Sequence, residues 1–346
     1  MSRSTSNPWL NRFAWIVVAF TLFLIGSGGL VTSKGVGLAV PDWPTTFGYH
    51  MFLFPFSKWV GGIFYEHTHR LIASTIGFLT IILAGWIWRA DSRRWVRVLG
   101  FVALGAVILQ GVLGGLRVTM LKDEIGIFHA CLAQAFLGLL VVIALATSQR
   151  WVSLTTIASR ESFSGIVRFA IITAVTVYVQ LALGATMRHQ HRDLSILDFP
   201  TAYGQWIPDT SSAAITKINA WRDTRALSDV NAFQIWLQML HRFGAVLIAV
   251  GAIAIRAAVR RLNSAIPLLP RLSNLLLGLV LCQIGLGAWT IWSNKAADVT
   301  TIHVAVGASI FGLTIAICAV SWRLLNLESR VKSAGRAAPS RVAVST

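Results

Sequence analysis

The chain has 346 residues, of which 55% are hydrophobic and only 12% are charged. A soluble domain of this length needs far more polar surface, so the composition excludes a water-soluble globular protein. The formal net charge of +17 would suit a nucleic-acid-binding protein. The distribution of the basic residues along the chain, described below, argues against that class.

Eight segments are long enough and apolar enough to span a bilayer. Backbone polar groups in lipid must be satisfied within the segment, so helices are predicted rather than open strands. The predicted spans are Phe13–Ser33, Leu71–Trp88, Val98–Leu116, Ile125–Ala146, Val167–Met187, Phe233–Ile255, Leu272–Ile291 and Val299–Val320. The predicted fold class is therefore an all-α integral membrane protein with eight transmembrane helices.

The basic residues are sorted by loop. If the N-terminus is cytoplasmic, the inner side carries 18 Lys and Arg residues against three acids, and the outer side 12 against ten. This is the positive-inside pattern, so the partner of the basic excess is membrane lipid and not nucleic acid. Both termini are predicted to be cytoplasmic. The short N-terminal segment, which has no Arg-rich transit sequence, favours a bacterial inner membrane.

Three short motifs occur in the same order in both halves of the chain. They are DWPTTFG (42–48) and DFPTAYG (198–204), His69-Arg70 and His241-Arg242, and QGVLGG (110–115) and QIGLGA (283–288). Chance is a poor explanation for three paired anchors in one order, so an internal duplication is predicted. The halves are residues 1–150 and 151–346, each a four-helix bundle, in tandem and in the same orientation.

Four histidines recur at equivalent depth, two in each half, near the outer ends of the even-numbered helices. A heme with two histidine ligands requires imidazoles from facing helices at one depth. We therefore predict that His69 pairs with His129, and His241 with His303, as ligands of heme iron. Hydrogen bonding between neighbouring helices is the alternative. Zinc or copper is less favoured, because those metals usually need three or four clustered ligands.

The two halves differ three residues before the first histidine. Glu66 shares a helical face with His69 and Arg70, whereas Gln238 stands at the corresponding place and cannot ionise. A carboxylate at the membrane edge is costly unless it is used. The first half is therefore predicted to be catalytic, with Glu66 as its acid-base residue, and the second to be a permanent redox centre. A simple ion pair of Glu66 with Arg70 is the alternative, and both roles can hold together.

Two arginines and several glycines accompany the histidines. Arg70 and Arg242 are candidates for binding heme propionates, with snorkelling at a helix end as the alternative. Small residues near the outer helix ends either pack helices closely or leave room for a flat ligand. They are Gly114, Gly115, Gly184, Gly285 and Gly287.

These residues resemble the heme A synthase family over roughly Arg12 to Trp322. The most specific motif is Glu-x-x-His-Arg, formed here by Glu66, His69 and Arg70. The segments GGLVT (28–32) and PDWP (41–44) and the three further histidines also resemble the family.

The resemblance implies that a ring methyl of heme O is oxidised to a formyl group, by successive hydroxylations and loss of water. The product is heme A for terminal oxidases. His241 and His303 would hold a heme b cofactor, while His69 and His129 would receive the heme O substrate beside a catalytic or positioning Glu66. Pathway logic adds a heme O synthase as a possible partner, and the residues do not specify the electron acceptor.

Three cysteines lie inside predicted helices, and none lies in an outer loop: Cys131, Cys282 and Cys318. The chain therefore resembles the cysteine-free branch of the family, which includes alphaproteobacterial and mitochondrial members. Two other functions remain open at this point. A di-heme b-type cytochrome would pass electrons without altering heme, and a transporter or heme chaperone would leave the porphyrin unchanged.

Overall fold

Eight long helices dominate the computed structural model, which describes residues 7–154, 163–189, 194–262 and 267–337, with only the backbone at residues 328 and 330–337. The α-helices within these ranges are α1 Pro8–Ser33, α2 Gly61–Ala90, α3 Arg94–Met120, α4 Asp123–Ala146, α5 Gln149–Ser153, α6 Ser164–His189, α7 Ser212–Asp223, α8 Ala232–Arg260, α9 Leu268–Trp292 and α10 Ala297–Ala337. All except α5 and α7 are long and apolar enough to cross a membrane, α10 over Ala297–Leu327. The predicted all-α membrane fold with eight spans is confirmed.

The helices that carry the histidines begin earlier than the apolar pattern indicates. The second span was predicted from Leu71, but α2 begins at Gly61. The apolar run stops at Leu71 because Glu66 and Arg70 precede it. Both side chains are satisfied by protein groups, so the helix continues through them without leaving polar atoms in lipid.

Local capping fixes where two of the spans begin. Asn7 accepts hydrogen bonds from the N–H groups of Trp9 and Leu10, and Pro8 is the first residue of α1. Proline at this position loses no helical hydrogen bond. At α8, Asn231 and Gln234 form a reciprocal capping box that satisfies two otherwise unpaired N–H groups.

Each half forms a closed ring of four helices. In the first half α1 packs on α2, α2 on α3, α3 on α4, and α4 back on α1; in the second half α6, α8, α9 and α10 do the same. Helices α2 and α4 are therefore diagonal partners, as are α8 and α10. The predicted histidine pairs lie on these diagonals, where their side chains can approach across the bundle interior.

The two rings meet through four helices. Helix α1 packs on α10, and α4 packs on both α10 and α6. A small apolar core formed by Ile25, Leu137 and Ala308 lies at this interface. Gly29 brings α1 close to α10, because a methyl group there would lie 3.5 Å from Cγ1 of Val304.

The outer loop before each histidine helix is built in the same way in both halves. The Asp42 carboxylate accepts hydrogen bonds from the Thr45 hydroxyl and from the N–H groups of Phe47 and Gly48, at 2.5–2.9 Å. Phe47 and Gly48 have positive φ angles of 49° and 77°, which the carboxylate stabilises by bonding both N–H groups.

In the second half, Asp198 accepts the corresponding three hydrogen bonds, from Thr201, Tyr203 and Gly204, at 2.8–3.0 Å. This repetition is the result expected from an internal duplication. The second loop is longer and contains α7, whose Arg222 is buried. Its guanidinium donates to the carbonyl oxygens of Ser228 and Leu194, so the insertion folds onto the loop rather than projecting from it.

Candidate functional site

All four predicted histidines line one cavity of 1410 Å³. Pockets for a single drug-sized ligand are usually about 300–1,000 Å³, so this space is large enough for more than one small molecule. Helices of both rings contribute to its wall, and Glu66, Arg70, Gln238 and Arg242 also line it.

In the first half, a glycine on a neighbouring helix faces each imidazole. A methyl group at Gly28 on α1 would lie 3.0 Å from Cε1 of His69. A methyl group at Gly114 on α3 would lie 3.3 Å from Cε1 of His129. Each imidazole can therefore occupy its position only because the residue opposite it is a glycine.

The second half repeats this arrangement. A methyl group at Gly184 on α6 or at Gly287 on α9 would lie 3.3 Å from Cε1 of His241 or His303, respectively. Gly114, Gly184 and Gly287 thus accommodate the histidines, which is more specific than general helix packing. Of the other two glycines singled out from the sequence, Gly115 packs against the Trp43 ring, and Gly285 faces open space.

The two imidazoles of the second half face each other. The ring centroids of His241 and His303 are 6.4 Å apart, with an interplanar angle of 53°. Two metal–nitrogen bonds of roughly 2 Å each, together with the distance from nitrogen to ring centre in each imidazole, account for a separation of about this size. The pair therefore fits a metal held between the rings.

The ring nitrogens are in different environments. Nδ1 of His129, His241 and His303 is buried and has no hydrogen-bond partner among the described residues. Nδ1 of His69 lies 3.3 Å from the Ser27 hydroxyl. Metal-bound histidines usually direct the other nitrogen to a hydrogen-bond partner, so Ser27 gives His69 a contact that the other three lack.

Three glutamines form hydrogen bonds to the backbone of His129, His241 and His303. Each side-chain amide donates to a histidine carbonyl oxygen from a neighbouring helix. The pairs are Gln110 with His129 at 3.1 Å, Gln180 with His241 at 2.7 Å, and Gln283 with His303 at 2.9 Å. These bonds hold neighbouring helices in register at the depth of the imidazoles.

Glu66 is buried and fastens the outer loop to α2. One carboxylate oxygen accepts the N–H of Val40 at 2.9 Å, and the other accepts Arg70 at 2.8 Å. Arg70 also donates to the carbonyl oxygens of Val40, Asp42 and Thr45, at 2.7–3.2 Å. The ion pair considered from the sequence is therefore present, and it belongs to a network that closes the loop over the cavity.

The second half achieves the same closure without a carboxylate. The Gln238 amide oxygen accepts the N–H of Ile196 at 2.9 Å, and its nitrogen donates to the Ile196 carbonyl at 3.0 Å. Arg242 donates to the carbonyl oxygens of Asp198 and Thr201, at 2.6 and 2.8 Å. The outer loop can thus be attached to the helix without a charged residue at this position. The carboxylate of Glu66 is therefore not required for attaching the loop.

The aspartates of the two loops remain ionised because of their hydrogen bonds. Burial would raise the pKa of Asp198, but hydrogen bonds from Gly204, Thr201 and Tyr203 outweigh it and hold the pKa below the ordinary 3.8. The pKa of Asp42 is lowered in the same way against burial, by bonds from Gly48, Thr45 and Phe47.

Two further arginines were not identified from the sequence. Arg117 on α3 lines the cavity and is close enough to both His69 and His129 to interact electrostatically with them. Arg188 on α6 also lines the cavity, is near His303, and donates to the Gly29 carbonyl and the Ser33 hydroxyl across the interface of the two rings, both at 2.7 Å. In a sequence, a single Arg at an outer helix end is usually interpreted as a snorkelling residue. The contacts of Arg117 and Arg188 become apparent only once the packing of the helices is known.

Of the other four histidines, His189 is the one that lines this cavity among the described residues. His67 is fully buried beneath the outer loop, with Nδ1 at 3.2 Å from the Thr46 hydroxyl, and its ring packs on Phe54 and Trp59. It points away from His69, as its spacing predicts. His189 lines the outer end of the cavity, and His191 lies outside the described residues.

The residues present fit heme. Paired imidazoles on diagonal helices, glycines that make room for them and arginines at the outer end are the features expected of such a site.

The amino-acid sequence is similar to that of known proteins over most of its length. Residues 11–315 match the COX15-CtaA family of cytochrome oxidase assembly proteins. A protein named heme A synthase from Shouchella clausii is 32% identical over 212 residues, which cover 60% of this chain and 68% of the relative.

Two further relatives align along nearly their whole length. Heme A synthase of Geobacillus kaustophilus is 26% identical, with 96% of this chain and 98% of the relative covered. Heme A synthase of Shewanella oneidensis is 24% identical, with 93% and 99% covered. The similarity therefore includes both rings of helices.

Proposed function

Because the chain belongs to the COX15-CtaA family of cytochrome oxidase assembly proteins, we propose that it is a heme A synthase. It oxidises a ring methyl of heme O to a formyl group and so produces heme A for terminal oxidases. The single observation that carries this proposal is the cavity in which two histidine pairs meet one carboxylate. The names of the relatives support the same reaction.

The second half is proposed to hold the resident cofactor, heme b, between His241 and His303. This heme, when bound, would supply one-electron transfer. The facing imidazoles support the assignment, as does the absence of an ionisable group at Gln238. In this half Gly184 and Gly287 leave room for the two imidazoles, and glutamine bonds hold the helices in register.

The first half is proposed to bind heme O between His69 and His129. Glu66 lines the cavity there, while its carboxylate is held by Val40 and Arg70. A carboxylate fixed on both oxygens is a precise positioning group. It can also accept a proton near the reacting methyl if one of these bonds opens, which is the acid-base role predicted from the sequence.

The outer arginines are proposed to bind propionates. The terminal nitrogens of Arg70 and Arg242 already donate to loop carbonyls. In Arg242, however, Nε is buried and has no partner among the described residues. Arg117 and Arg188 line the same end of the cavity and join the two sequence-derived candidates. Guanidinium groups suit this role because their N–H groups bind carboxylates. In Arg70 both terminal nitrogens already donate to the loop and to Glu66, so a propionate would have to replace one of these acceptors.

The chain is a multi-pass membrane protein, and we place it in a bacterial inner membrane with both heme sites toward the periplasm. The sorting of basic residues to the opposite side supports this orientation. A heme O synthase is proposed as the source of substrate. Stable co-purification of the two proteins would support direct transfer, whereas free exchange of heme O through lipid would contradict it.

Expression in cells that make heme O but no heme A tests the proposed reaction. Extracted hemes are separated by chromatography, and heme A is expected only when this chain is present. An electron-transferring di-heme cytochrome would instead leave heme O unaltered, so the absence of heme A in the presence of folded protein would contradict the proposal.

A further inference from the structure

The cavity extends further along the helices of the first half than along those of the second. On α2 its deepest lining residue is Ile81, twelve residues beyond His69, whereas on α8 it is Ile248, seven residues beyond His241. The extra five residues correspond to roughly 7–8 Å along a helix. The first half therefore encloses a deeper space below its histidines.

The cavity also extends further along α3 in the first half than along α9 in the second. On α3 the deepest lining residue is Leu104, ten residues before Gly114, whereas on α9 it is Val280, seven residues before Gly287. The extension thus runs between α2 and α3. Its deep walls are apolar, and we call it the α2–α3 groove: Gly77, Ile81, Leu104, Val107, Ile108 and Gly111.

Two glycines create the groove. A methyl group at Gly77 or at Gly111 would meet no atom within 4 Å, so both positions border open space. When the halves are aligned on the histidines and on the QGVLGG and QIGLGA motifs, Ala249 replaces Gly77 and Ile284 replaces Gly111. Ile284 lines the second-half cavity and packs against its core, so a side chain occupies the corresponding space there.

The groove opens onto the outer surface of the helix bundle. Ile81 and Ile108 are 55% and 60% exposed, and both also line the cavity. Their counterparts Ile253 and Leu281 are equally exposed, at 56% and 62%, but neither lines the cavity. Since these faces belong to membrane-spanning helices, the groove connects the first-half cavity to a surface suited to contact lipid. Between α8 and α9, the described residues show no corresponding passage.

We propose that the α2–α3 groove holds the farnesyl-derived chain of heme O, and that it thereby selects the substrate heme for the first half. This inference rests on the proposed function. Heme O differs from heme b in carrying this long apolar chain, which needs an apolar channel continuous with the porphyrin site. The second half, where Ile284 fills the channel, accepts a heme without the chain.

The test converts the groove to its second-half counterpart, with the Gly77→Ala/Gly111→Ile double variant. Heme O and heme B are titrated separately into purified protein that contains its resident heme, and binding is followed by absorption. The affinity for heme O is expected to fall at least tenfold, or about 1.4 kcal/mol, while that for heme B changes less than threefold. Helix stability should not suffer, because both substitutions raise helix propensity over glycine.

The Gly85→Ala/Gly105→Ile double variant is the matched control. Gly85 and Gly105 lie on the same two helices and also border open space, but neither lines the cavity. This variant is expected to bind both hemes as the unmodified protein does.

The outcomes separate the groove from the function on which it rests. If unmodified protein binds heme O and the groove variant binds it equally well, the groove inference is wrong. If the groove variant loses both hemes equally, chain selection by the groove is also wrong. If unmodified protein does not bind heme O at all, the proposed function fails as well.

Discussion

Glu66 and Gln238 occupy equivalent places before the first histidine of each half, and both hold the backbone of an outer loop. Glu66 accepts the N–H of Val40, and Gln238 accepts the N–H of Ile196, each at 2.9 Å. The carboxylate and the amide therefore close the two loops equally well. What distinguishes the halves chemically is the charge of Glu66, which the closing function does not require.

The Glu66→Gln variant should retain both hemes and lose most of its product formation. A glutamine can still accept the Val40 N–H, as Gln238 does for Ile196 in the second half, so the loop should stay closed. It cannot serve as a base, and removal of a general base typically costs about 10²–10⁴-fold in rate. Chromatography of extracted hemes measures both binding and conversion.

The reciprocal Gln238→Glu variant is the control for that experiment. Its new carboxylate loses the bond that the amide nitrogen donates to the Ile196 carbonyl. It lies four residues before Arg242, the spacing of the Glu66–Arg70 ion pair, so a new ion pair should compensate and activity should be retained. A normal yield of heme A from Glu66→Gln would exclude a catalytic role and leave Glu66 as a partner of Arg70.

Replacement of either second-half histidine should remove the resident heme. His241→Ala and His303→Ala each delete one imidazole of the facing pair, and the heme b absorption signal should disappear. His69→Ala should leave that signal in place. If His69→Ala removed it while the other two variants kept it, the assignment of the halves would be reversed.

The glycine opposite His303 should be as important for heme retention as the ligand itself. In Gly287→Val the new Cβ would lie 3.3 Å from Cε1 of His303, and the two methyl groups beyond it would displace the ring. Gly285→Val on the same helix faces open space and serves as the control. The heme b content of purified protein should fall only in Gly287→Val, and equal retention in both variants would show that the close approach is not needed.

The carboxylate of Asp198 should stabilise the protein at neutral pH and cease to do so in acid. Its pKa in the folded protein is below 3.8 because hydrogen bonds from Gly204, Thr201 and Tyr203 outweigh burial. A lowered folded-state pKa gives stability that is present above the unfolded pKa and is lost as the pH falls through the folded value. Asp198→Asn should therefore lower the thermal midpoint at pH 7.

The expected decrease is roughly 1–2 °C, for a loss of about 1 kcal/mol after allowance for solvent screening of this half-buried group. The difference between the two proteins should narrow as the pH falls below 3.8. Thermal unfolding in detergent, followed between pH 3 and pH 7, measures it. A difference that stays constant or widens in acid would contradict this role of the carboxylate.

Periodicity and length were sufficient to predict the eight spans, because lipid leaves a helix as the only way to satisfy each backbone. The recurring histidines led to the prediction that His69 pairs with His129 and His241 with His303. The structure places the members of each predicted pair on diagonal helices of one ring. The beginning of α2 was missed, because its Glu66 and Arg70 are satisfied by residues 40–45 of a loop whose folding no local pattern reveals. The roles of Arg188 and of Gly77 were missed too. They depend on which helices touch, a long-range property that a single sequence does not specify.

The most direct test of the central claim is identification of the hemes in protein purified from cells that also supply heme O. The two-site account predicts heme B together with heme O, heme A or a hydroxylated intermediate. Heme B alone, with heme O available, would contradict it and identify the protein as an electron-transferring cytochrome.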